Sequence, residues 1–331
     1  MSSNIDASSQ SKGLASKLSN WKTSLDLAYP GSFENLHKEA RNVLNGNYFF
    51  EGGKADLAKG LSPNFQVSHS FFLGGGSGAP QSYHFGALYA DEHHVMHGLI
   101  NPEGNLQGKM HWMPNKEITV KVQQQIIPKQ AAYDMVQFEI ERAGSHGNVA
   151  VKAMNPSPFG GLTGIYSVAM LQSVTNKTAL GVEAVWQRMG PKMRDFGLVF
   201  GVRWATTPND APVTSQSTNA QSAPRNNRVF CLSIQQLSVI QASYYHRVTD
   251  KLELSTELQA NLVGSRKDAV ATVACKLDFK QSTLRAQADT LGRVALVLEE
   301  KLAPGFSLFL CGEMDHLKNN SRFGVGINME S

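Results

Sequence analysis

The sequence predicts an all-β fold, a closed transmembrane β-barrel of about nineteen strands with one amphipathic α-helix before the first strand. Segments of about ten residues alternate apolar and polar side chains from residue 52 to the C-terminus, and a period of two is typical of strands. No run of about 20 apolar residues could form a spanning helix. Charged residues make up 18% of the 331 residues, and the chain is too apolar to be disordered.

The first 46 residues differ from the rest because their apolar residues recur at helical spacing. Residues 1–29 are rich in Ser, Asn and Lys, and we expect a mobile tail there, although this composition also resembles an organelle-targeting segment. Residues 30–46 are predicted to form an amphipathic helix, capped by the Ser32 hydroxyl and ending by Gly46. Its apolar face comprises Phe33, Leu36, Ala40 and Val43.

Residues 47–331 are predicted to form the barrel. The clearest strand runs from Leu252 to Leu262, with Leu, Thr and Ala at even positions and Glu, Ser, Gln and Asn at odd positions. The last segment repeats this alternation, with one face formed by Phe323, Val325, Ile327 and Met329. A polar stretch at 206–228 contains three prolines and predicts a long exposed loop.

Closure of the sheet follows from the number of strands. An open sheet of this size would expose two unpaired edges, which closure removes. A barrel this wide encloses water, so the apolar faces would contact lipid and the polar faces would line an aqueous lumen. The alternative is a soluble β-protein whose apolar faces pack against each other, and alternation alone does not distinguish the two.

The sequence has no pattern typical of catalysis or of a bound cofactor. The three cysteines are widely spaced, and His93, His94 and His97 lack the further ligands of a metal site. The glycine-rich stretch at 74–80 lacks the Lys-Ser/Thr of a phosphate-binding loop. A net charge of +4 without a concentrated basic face does not indicate nucleic-acid binding. We therefore expect no enzyme activity, no cofactor and no nucleic-acid partner.

Several short stretches occur together in an order that suggests a known family. They are Pro30–Leu36, Phe65–His69, Asn155–Ser157, Leu171–Thr175, Ala179–Glu183 and Gly312–His316. With them, the chain from about residue 29 resembles the channel-forming β-barrel subunits of the mitochondrial outer-membrane translocase, within the mitochondrial porin superfamily. The C-terminus also resembles the mitochondrial barrel-assembly signal, which here comprises Arg322, Gly324, Ile327 and Met329.

The resemblance implies nineteen strands, a parallel first and last strand, and an N-terminal helix inside the pore. It implies a multi-pass barrel of the mitochondrial outer membrane that conducts unfolded precursor proteins bearing basic amphipathic presequences. The expected partners are receptor subunits and small single-helix subunits, in an oligomeric complex within the lipid bilayer. The alternative in the same superfamily is a metabolite and ion porin of the voltage-dependent anion channel type.

Candidate pore-lining acids follow from the alternation, because the polar positions would face the lumen. They are Glu139, Glu183, Glu253, Glu257, Asp289, Glu299, Glu313 and Asp315. Such carboxylates would attract a basic segment over about 8–10 Å, the screening length in physiological salt. They could equally brace the wall by pairing with lumenal bases such as Lys121, Lys276, Arg285 and Arg293.

Overall fold

In the part of the chain that the structure describes, one sheet of nineteen strands forms the barrel and one short helix precedes it. The computed structural model describes residue 27 and residues 29–74, 80–128, 133–157, 163–188, 194–206, 227–236, 238–262 and 267–331. Helix α1 is Lys38–Val43, followed by a 3-10 turn at Asn45–Asn47. The strands are β1 (Gly52–Ser62), β2 (Phe65–Phe72), β3 (Ser82–Ala90), β4 (His94–Ile100), β5 (Leu106–Asn115), β6 (Ile118–Ile126), β7 (Met135–Ala143), β8 (Gly147–Ser157), β9 (Thr163–Ser173), β10 (Thr178–Arg188), β11 (Arg194–Ala205), β12 (Arg228–Gln235), β13 (Val239–Arg247), β14 (Leu252–Asn261), β15 (Asp268–Asp278), β16 (Ser282–Asp289), β17 (Arg293–Ala303), β18 (Phe306–Asp315) and β19 (Asn320–Glu330).

The strands close through a parallel seam. Each strand pairs antiparallel with the next, and β1 also pairs with β19 in parallel, from Gly52 opposite Gly324 to Ala58 opposite Glu330. The predicted strand number and parallel closure are confirmed. Because the number is odd, the end of β19 shares one rim with the turns that follow odd-numbered strands. We call this the terminal rim, and the turns after even-numbered strands form the opposite rim.

Alternation along each strand separates an apolar outer face from a polar lumenal face, as predicted. Leu254 and Leu258 are exposed on the outer face of β14, whereas Ser255 between them is buried under the N-terminal segment. On β19, Val325 is 52% exposed and its neighbour Gly324 is buried. The apolar faces therefore point outward rather than into a second sheet, which excludes the soluble alternative.

Aromatic side chains ring the outer face near both rims. Near the opposite rim, the rings of Phe71 and Tyr83 are 5.0 Å apart. Near the terminal rim, Trp112 stacks on His94 at 6.4 Å. Such belts are typical of the two membrane–water interfaces. No helix in the described parts of the chain is long and apolar enough to span a membrane.

Residues 29–51 form an inner strap along the lumenal face of the wall. At the terminal rim the carbonyl of Leu27 accepts a hydrogen bond from Nδ1 of His146 (2.8 Å), in the turn between β7 and β8. From there the strap passes β8 through β19 in order before it joins β1.

The helix within the strap is shorter than the 30–46 predicted. Only six residues, Lys38–Val43, are α-helical. The Ser32 hydroxyl accepts a hydrogen bond from Nδ2 of Asn35 (2.8 Å) rather than capping the helix, and the amide of Asn35 donates to the carbonyl of Ser32 in a tight turn. Tight turns allow the strap to follow the curved wall, which a straight helix over the whole range could not do.

The strap packs against the wall through the predicted apolar residues, and Phe33, Leu36, Ala40 and Val43 are all buried. Phe33 lies over Gly181 and Gly201, which are direct partners on β10 and β11. A Cβ added to Gly181 would lie 2.6 Å from the Phe33 ring, and one added to Gly201 would lie 2.7 Å from it. The paired glycines thus form a socket for this ring.

Two predicted segments fall largely outside the described residues. These are the tail at 1–29, of which Leu27 and Tyr29 are described, and the loop at 206–228, of which only its ends are described.

Candidate functional site: the lumenal wall

A bidentate ion pair fixes the strap to the wall. Nη2 of Arg203 on β11 is 2.7 Å from Oε1 of Glu39 on α1, and Nη1 is 3.0 Å from Oε2. Two parallel bonds to one carboxylate match the fork of a guanidinium. Because Arg203 is buried, loss of Glu39 would leave its charge poorly compensated.

His37 is held against the wall by two serines. Its Nδ1 is 2.7 Å from Oγ of Ser243 and its Nε2 is 3.0 Å from Oγ of Ser233. Burial lowers the pKa of His37 below its usual value, against the opposing effect of the Glu257 carboxylate. The docked imidazole is therefore neutral at pH 7 and can both donate to one hydroxyl and accept from the other.

The last part of the strap also contacts the wall rather than crossing the lumen. The amide of Asn45 donates to Oε1 of Gln287 (2.9 Å), and the guanidinium of Arg285 lies 3.8 Å from the centroid of the Tyr48 ring. Both wall residues are on β16. The strap is therefore held along its length by contacts with the wall.

A charged network joins β6, β7 and β8 to the beginning of the strap. Nζ of Lys121 is 3.0 Å from Oε1 of Glu139 and 3.0 Å from Oε2 of Glu141. Nζ of Lys152 is 3.1 Å from Oε2 of Glu34 and 3.6 Å from Oε2 of Glu139. Burial alone would raise the pKa of Glu34, but the positive charges of Lys152 and Lys121 outweigh it and lower this pKa.

Three other predicted acids brace neighbouring strands. Each carboxylate lies within ion-pair distance of a lumenal base: Glu253 with Lys276 (3.8 Å), Glu299 with Arg285 (3.8 Å) and Glu313 with Arg322. These acids face the lumen, but a cation already neutralises much of their charge.

Two predicted acids stabilise turns at the opposite rim. Oδ1 of Asp289 accepts hydrogen bonds from the amides of Leu291 (3.0 Å) and Arg293 (2.9 Å), and its Oδ2 accepts one from Nε of Arg293 (2.8 Å). Asp315 accepts in the same way from the amides of Leu317 and Lys318. Each carboxylate therefore accepts hydrogen bonds from the amides of the turn that follows it.

Apart from Asp315, which is bound by the backbone amides of its turn, Glu183 and Glu257 are the predicted acids that lack a cation partner among the described residues. Glu257 accepts hydrogen bonds from Nε2 of Gln241 (2.6 Å) and of Gln259 (2.8 Å). Glu183 on β10 is flanked in register by the apolar Ala169 and Val199. These two carboxylates present negative charge to the lumen.

Comparison with known proteins identifies the family. A family model described as eukaryotic porin matches residues 29–326. The mitochondrial import receptor subunit TOM40 of Saccharomyces cerevisiae is 32% identical, over 95% of this chain and 81% of that protein. This chain belongs to the Tom40 family of eukaryotic porins. Its Neurospora crassa relative is 31% identical over 92% of this chain and 84% of that protein, and the probable TOM40-2 of Arabidopsis thaliana is 28% identical over 93% and 94%.

Eukaryotic porins are channels, in agreement with the expectation that the chain is not an enzyme. Among solved structures, a porin of Rh. blastica with three substitutions covers 80% of this chain and 98% of its own. Its TM-score of 0.44 and 10% identity are too low to add to the Tom40 assignment.

The predicted assembly signal of this Tom40-family chain lies on β19, with Arg322 and Gly324 on the lumenal face and Ile327 and Met329 on the outer face. A Cβ at Gly324 would collide with the carbonyl oxygen of Phe50, where the strap crosses β19. Glycine at this position is therefore required by the fold, whatever its role in assembly.

Four lumenal residues of the site were not predicted from the sequence. Glu141 shares the face of Glu139 two residues earlier, so the period of two could have identified it. Glu34 and Glu39 lie outside the apolar face of the predicted helix, and they pair with wall bases. Arg203 has no local signal, because its partner is 164 residues away.

The lumen is chemically asymmetric. Among the described residues, the lumenal positions of β2 to β6 hold no carboxylate, and their ionisable groups are His84, His97, Lys109, His111 and Lys121. The lumenal acids lie instead on β1 and on β7 to β19, and the strap lies along β8 to β19.

The described residues include no group of three His, Cys, Asp or Glu side chains that could hold a metal ion.

Proposed function

We propose that this chain is the protein-conducting channel through which unfolded precursor proteins cross the outer mitochondrial membrane. The observation that carries the proposal is its membership of the Tom40 family, whose named relatives are mitochondrial import receptor subunits. A water-filled barrel with its N-terminal strap held against the wall suits the passage of an extended chain. The channel itself performs no catalysis.

The charges of the lumen support a basic substrate. The carboxylates of Glu183 and Glu257 lack a described cation partner, so each can attract a Lys or Arg of a presequence. At about 4 Å in water such a contact is worth about 1 kcal/mol, weak enough for the chain to move on. The braced acids contribute less, because their neighbouring bases offset them.

The same proposal places the channel in an oligomeric complex with receptor subunits and small single-helix subunits. The largely apolar outer face supports contacts with the lipid bilayer and with single membrane-spanning helices.

Planar-bilayer recording of the purified chain with a basic amphipathic presequence peptide tests the proposal. We expect cation-selective current with brief blocking events, and no such events with a peptide of equal length whose Lys and Arg residues are replaced by Gln. Anion preference and indifference to the basic peptide would instead identify a metabolite and ion porin.

Charge variants sharpen this experiment. Replacement of both acids, Glu183→Gln with Glu257→Gln, should shorten the blocking events by about fivefold for each lost contact of about 1 kcal/mol. Glu300→Gln, on the outer face of β17, is the matched control and should leave the events unchanged. Equal event durations in all three proteins would contradict a role for these two carboxylates.

A further inference from the structure

Three lumenal residues on β4 and β5 form a patch that contains no carboxylate, and we call it the basic patch. It consists of His97, Lys109 and His111. Lys109 is the register partner of His97, and His111 follows two residues later on the same face of β5. Register partners lie about 4.5–5.5 Å apart, and residues two apart along a strand lie about 7 Å apart. The three side chains therefore share one small area of the wall.

Lys109 is exposed and has no acid partner among the described residues. The other lumenal lysines and arginines on the described strands each have a carboxylate oxygen within 3.9 Å, except Lys301 near the terminal rim. The register partners of Lys109 are His97 and Gln123, and neither is an acid. Lys109 therefore presents an uncompensated positive charge to the lumen.

The basic patch is open to the lumen. The described contacts of the strap begin beyond it, at β6, where Oε2 of Glu34 is 3.9 Å from Nζ of Lys121. Lys121 is itself paired with Glu139 and Glu141, so these acids are engaged on the far side of β6. The imidazoles of the patch form no hydrogen bond with other described residues. A neutral imidazole carries one N–H donor, so each ring can donate to an anion beside Lys109.

The basic patch faces a free carboxylate across the lumen. Strand β14, which carries Glu257, is nine strands from β5 in one direction around the wall and ten in the other. Counted from the opposite rim, Lys109 is the fourth residue of β5 and Glu257 the fifth of β14, so the two lie at similar depth. A chain in the lumen would thus have a wall that attracts its bases on one side and a wall that attracts its acids on the other.

We propose that the basic patch binds the Asp and Glu side chains of a polypeptide in transit. A carboxylate beside Lys109 gains a charge contact, and His97 and His111 can each donate a hydrogen bond to its oxygens. A lysine is a point charge without the fork of an arginine, so this contact suits a moving chain rather than a fixed ligand. In an extended chain, side chains on one face recur about every 7 Å, which matches the spacing of Lys109 and His111. The inference rests on the proposed function and extends its substrates to acidic segments.

Planar-bilayer recording of the full chain tests the patch with a peptide that alternates Glu and Ser, and with a control peptide in which Gln replaces Glu. We expect brief blocking events with the acidic peptide and none with the control. Lys109→Gln should shorten the acidic-peptide events about fivefold, the effect of one contact between unit charges about 4 Å apart in water. Lys59→Gln, on an exposed lysine of the outer face of β1, is the matched control and should leave them unchanged. Equal event durations in the native chain and Lys109→Gln would overturn the assignment.

The basic presequence peptide, recorded on the same channels, separates this inference from the proposed function. Basic-peptide events without acidic-peptide events would overturn the inference and leave the proposed function standing. Absence of basic-peptide events would overturn the proposed function, on which the inference rests. Loss of the acidic-peptide events on adding inorganic phosphate at constant ionic strength would assign the patch to small anions and overturn the polypeptide.

Carbodiimide coupling locates the contact without any variant, and so decides the assignment even where Lys109→Gln fails to fold. The reagent joins a peptide carboxylate to Nζ of a lysine that touches it, and mass spectrometry of the full chain identifies that lysine. We expect the acidic peptide to couple to Lys109 and not to Lys59. Absence of coupling at Lys109 would overturn the assignment.

Discussion

Phe33 fits against the wall because the two residues under its ring are glycines, and this contact shows how single residues determine the course of the strap. Cys231 provides a way to measure docking, because its Sγ donates to the carbonyl of Leu36 (2.9 Å) and is buried beneath the strap. With Cys275 and Cys311 replaced by Ser, the rate at which a maleimide labels Cys231 reports how often the strap leaves the wall.

Gly181→Val should loosen the strap, because the new side chain would occupy the place of the Phe33 ring. Overpacking of this kind costs about 1–3 kcal/mol, so we expect labelling of Cys231 to accelerate by about tenfold or more. Gly108→Val on the outer face of β5, where a Cβ has open space, is the matched control. Equal acceleration in both variants would contradict the socket.

Glu39→Ala should also release the strap, because it removes both hydrogen bonds that the buried Arg203 donates to this carboxylate. Hydrogen bonds to charged groups are worth about 1.5–3 kcal/mol, so labelling of Cys231 should again increase about tenfold or more. Lys38→Ala changes the adjacent exposed residue and should have little effect. If the two variants label at the same rate, the ion pair does not hold the strap.

Docking of the strap should weaken as the pH falls from about 7.5 to 5.5. The pKa of docked His37 lies below its usual value, so the released strap binds a proton that the docked strap does not. The loss begins near pH 6.5 and can reach about 1.4 kcal/mol per pH unit until the lowered pKa is passed. Glu34, whose pKa is lowered, stays ionised throughout this range and adds no slope.

The ratio of Cys231 labelling rates between the native chain and His37→Gln measures this effect, because titration of the thiol cancels between the two proteins. We expect the ratio to rise with acidification. A ratio that is constant across the range would show that protonation of His37 does not oppose docking.

The strands and the strap, as elements, differ in how far the sequence predicts them. A strand in lipid must alternate, since one face meets hydrocarbon and the other water, so the pattern of Leu254 and Ser255 directly reflects the fold. The strap has apolar residues at helical spacing, but that spacing does not show where a chain bends to follow a wall. For the candidate acids, the alternation predicts that their side chains face the lumen. It does not predict which bases lie opposite Glu253 and Glu299, because that depends on the register between strands.

Val325→Arg should block assembly into the membrane, because it places a cation on the lipid-facing side of β19 at a cost of about 2–4 kcal/mol near mid-bilayer. Asn328→Arg, on the lumenal face of the same strand, should be tolerated. Alkali-resistant insertion into mitochondrial membranes separates the two variants, and equal insertion would contradict the assigned faces.

At the scale of the whole molecule, the barrel combines a wall that is braced by ion pairs with a lumen that is charged unevenly around its circumference. The strap lies along β8 to β19, which carry most of the lumenal acids, and its Glu34 also reaches Lys121 on β6, whereas the described residues of β2 to β6 include no carboxylate. These properties depend on contacts between distant parts of the sequence, so they emerge only when the strands are placed in order.

The parallel seam also limits how such a molecule can change in length. Loss or gain of a whole hairpin keeps the number of strands odd, so Ser331 stays on the same side of the bilayer as Leu27 and the seam can re-form. A change of one strand makes the number of strands even. Either β1 would then pair antiparallel with the last strand, or every strand after the change would cross the membrane in the opposite direction. Viable length variants of this barrel should therefore differ by pairs of strands.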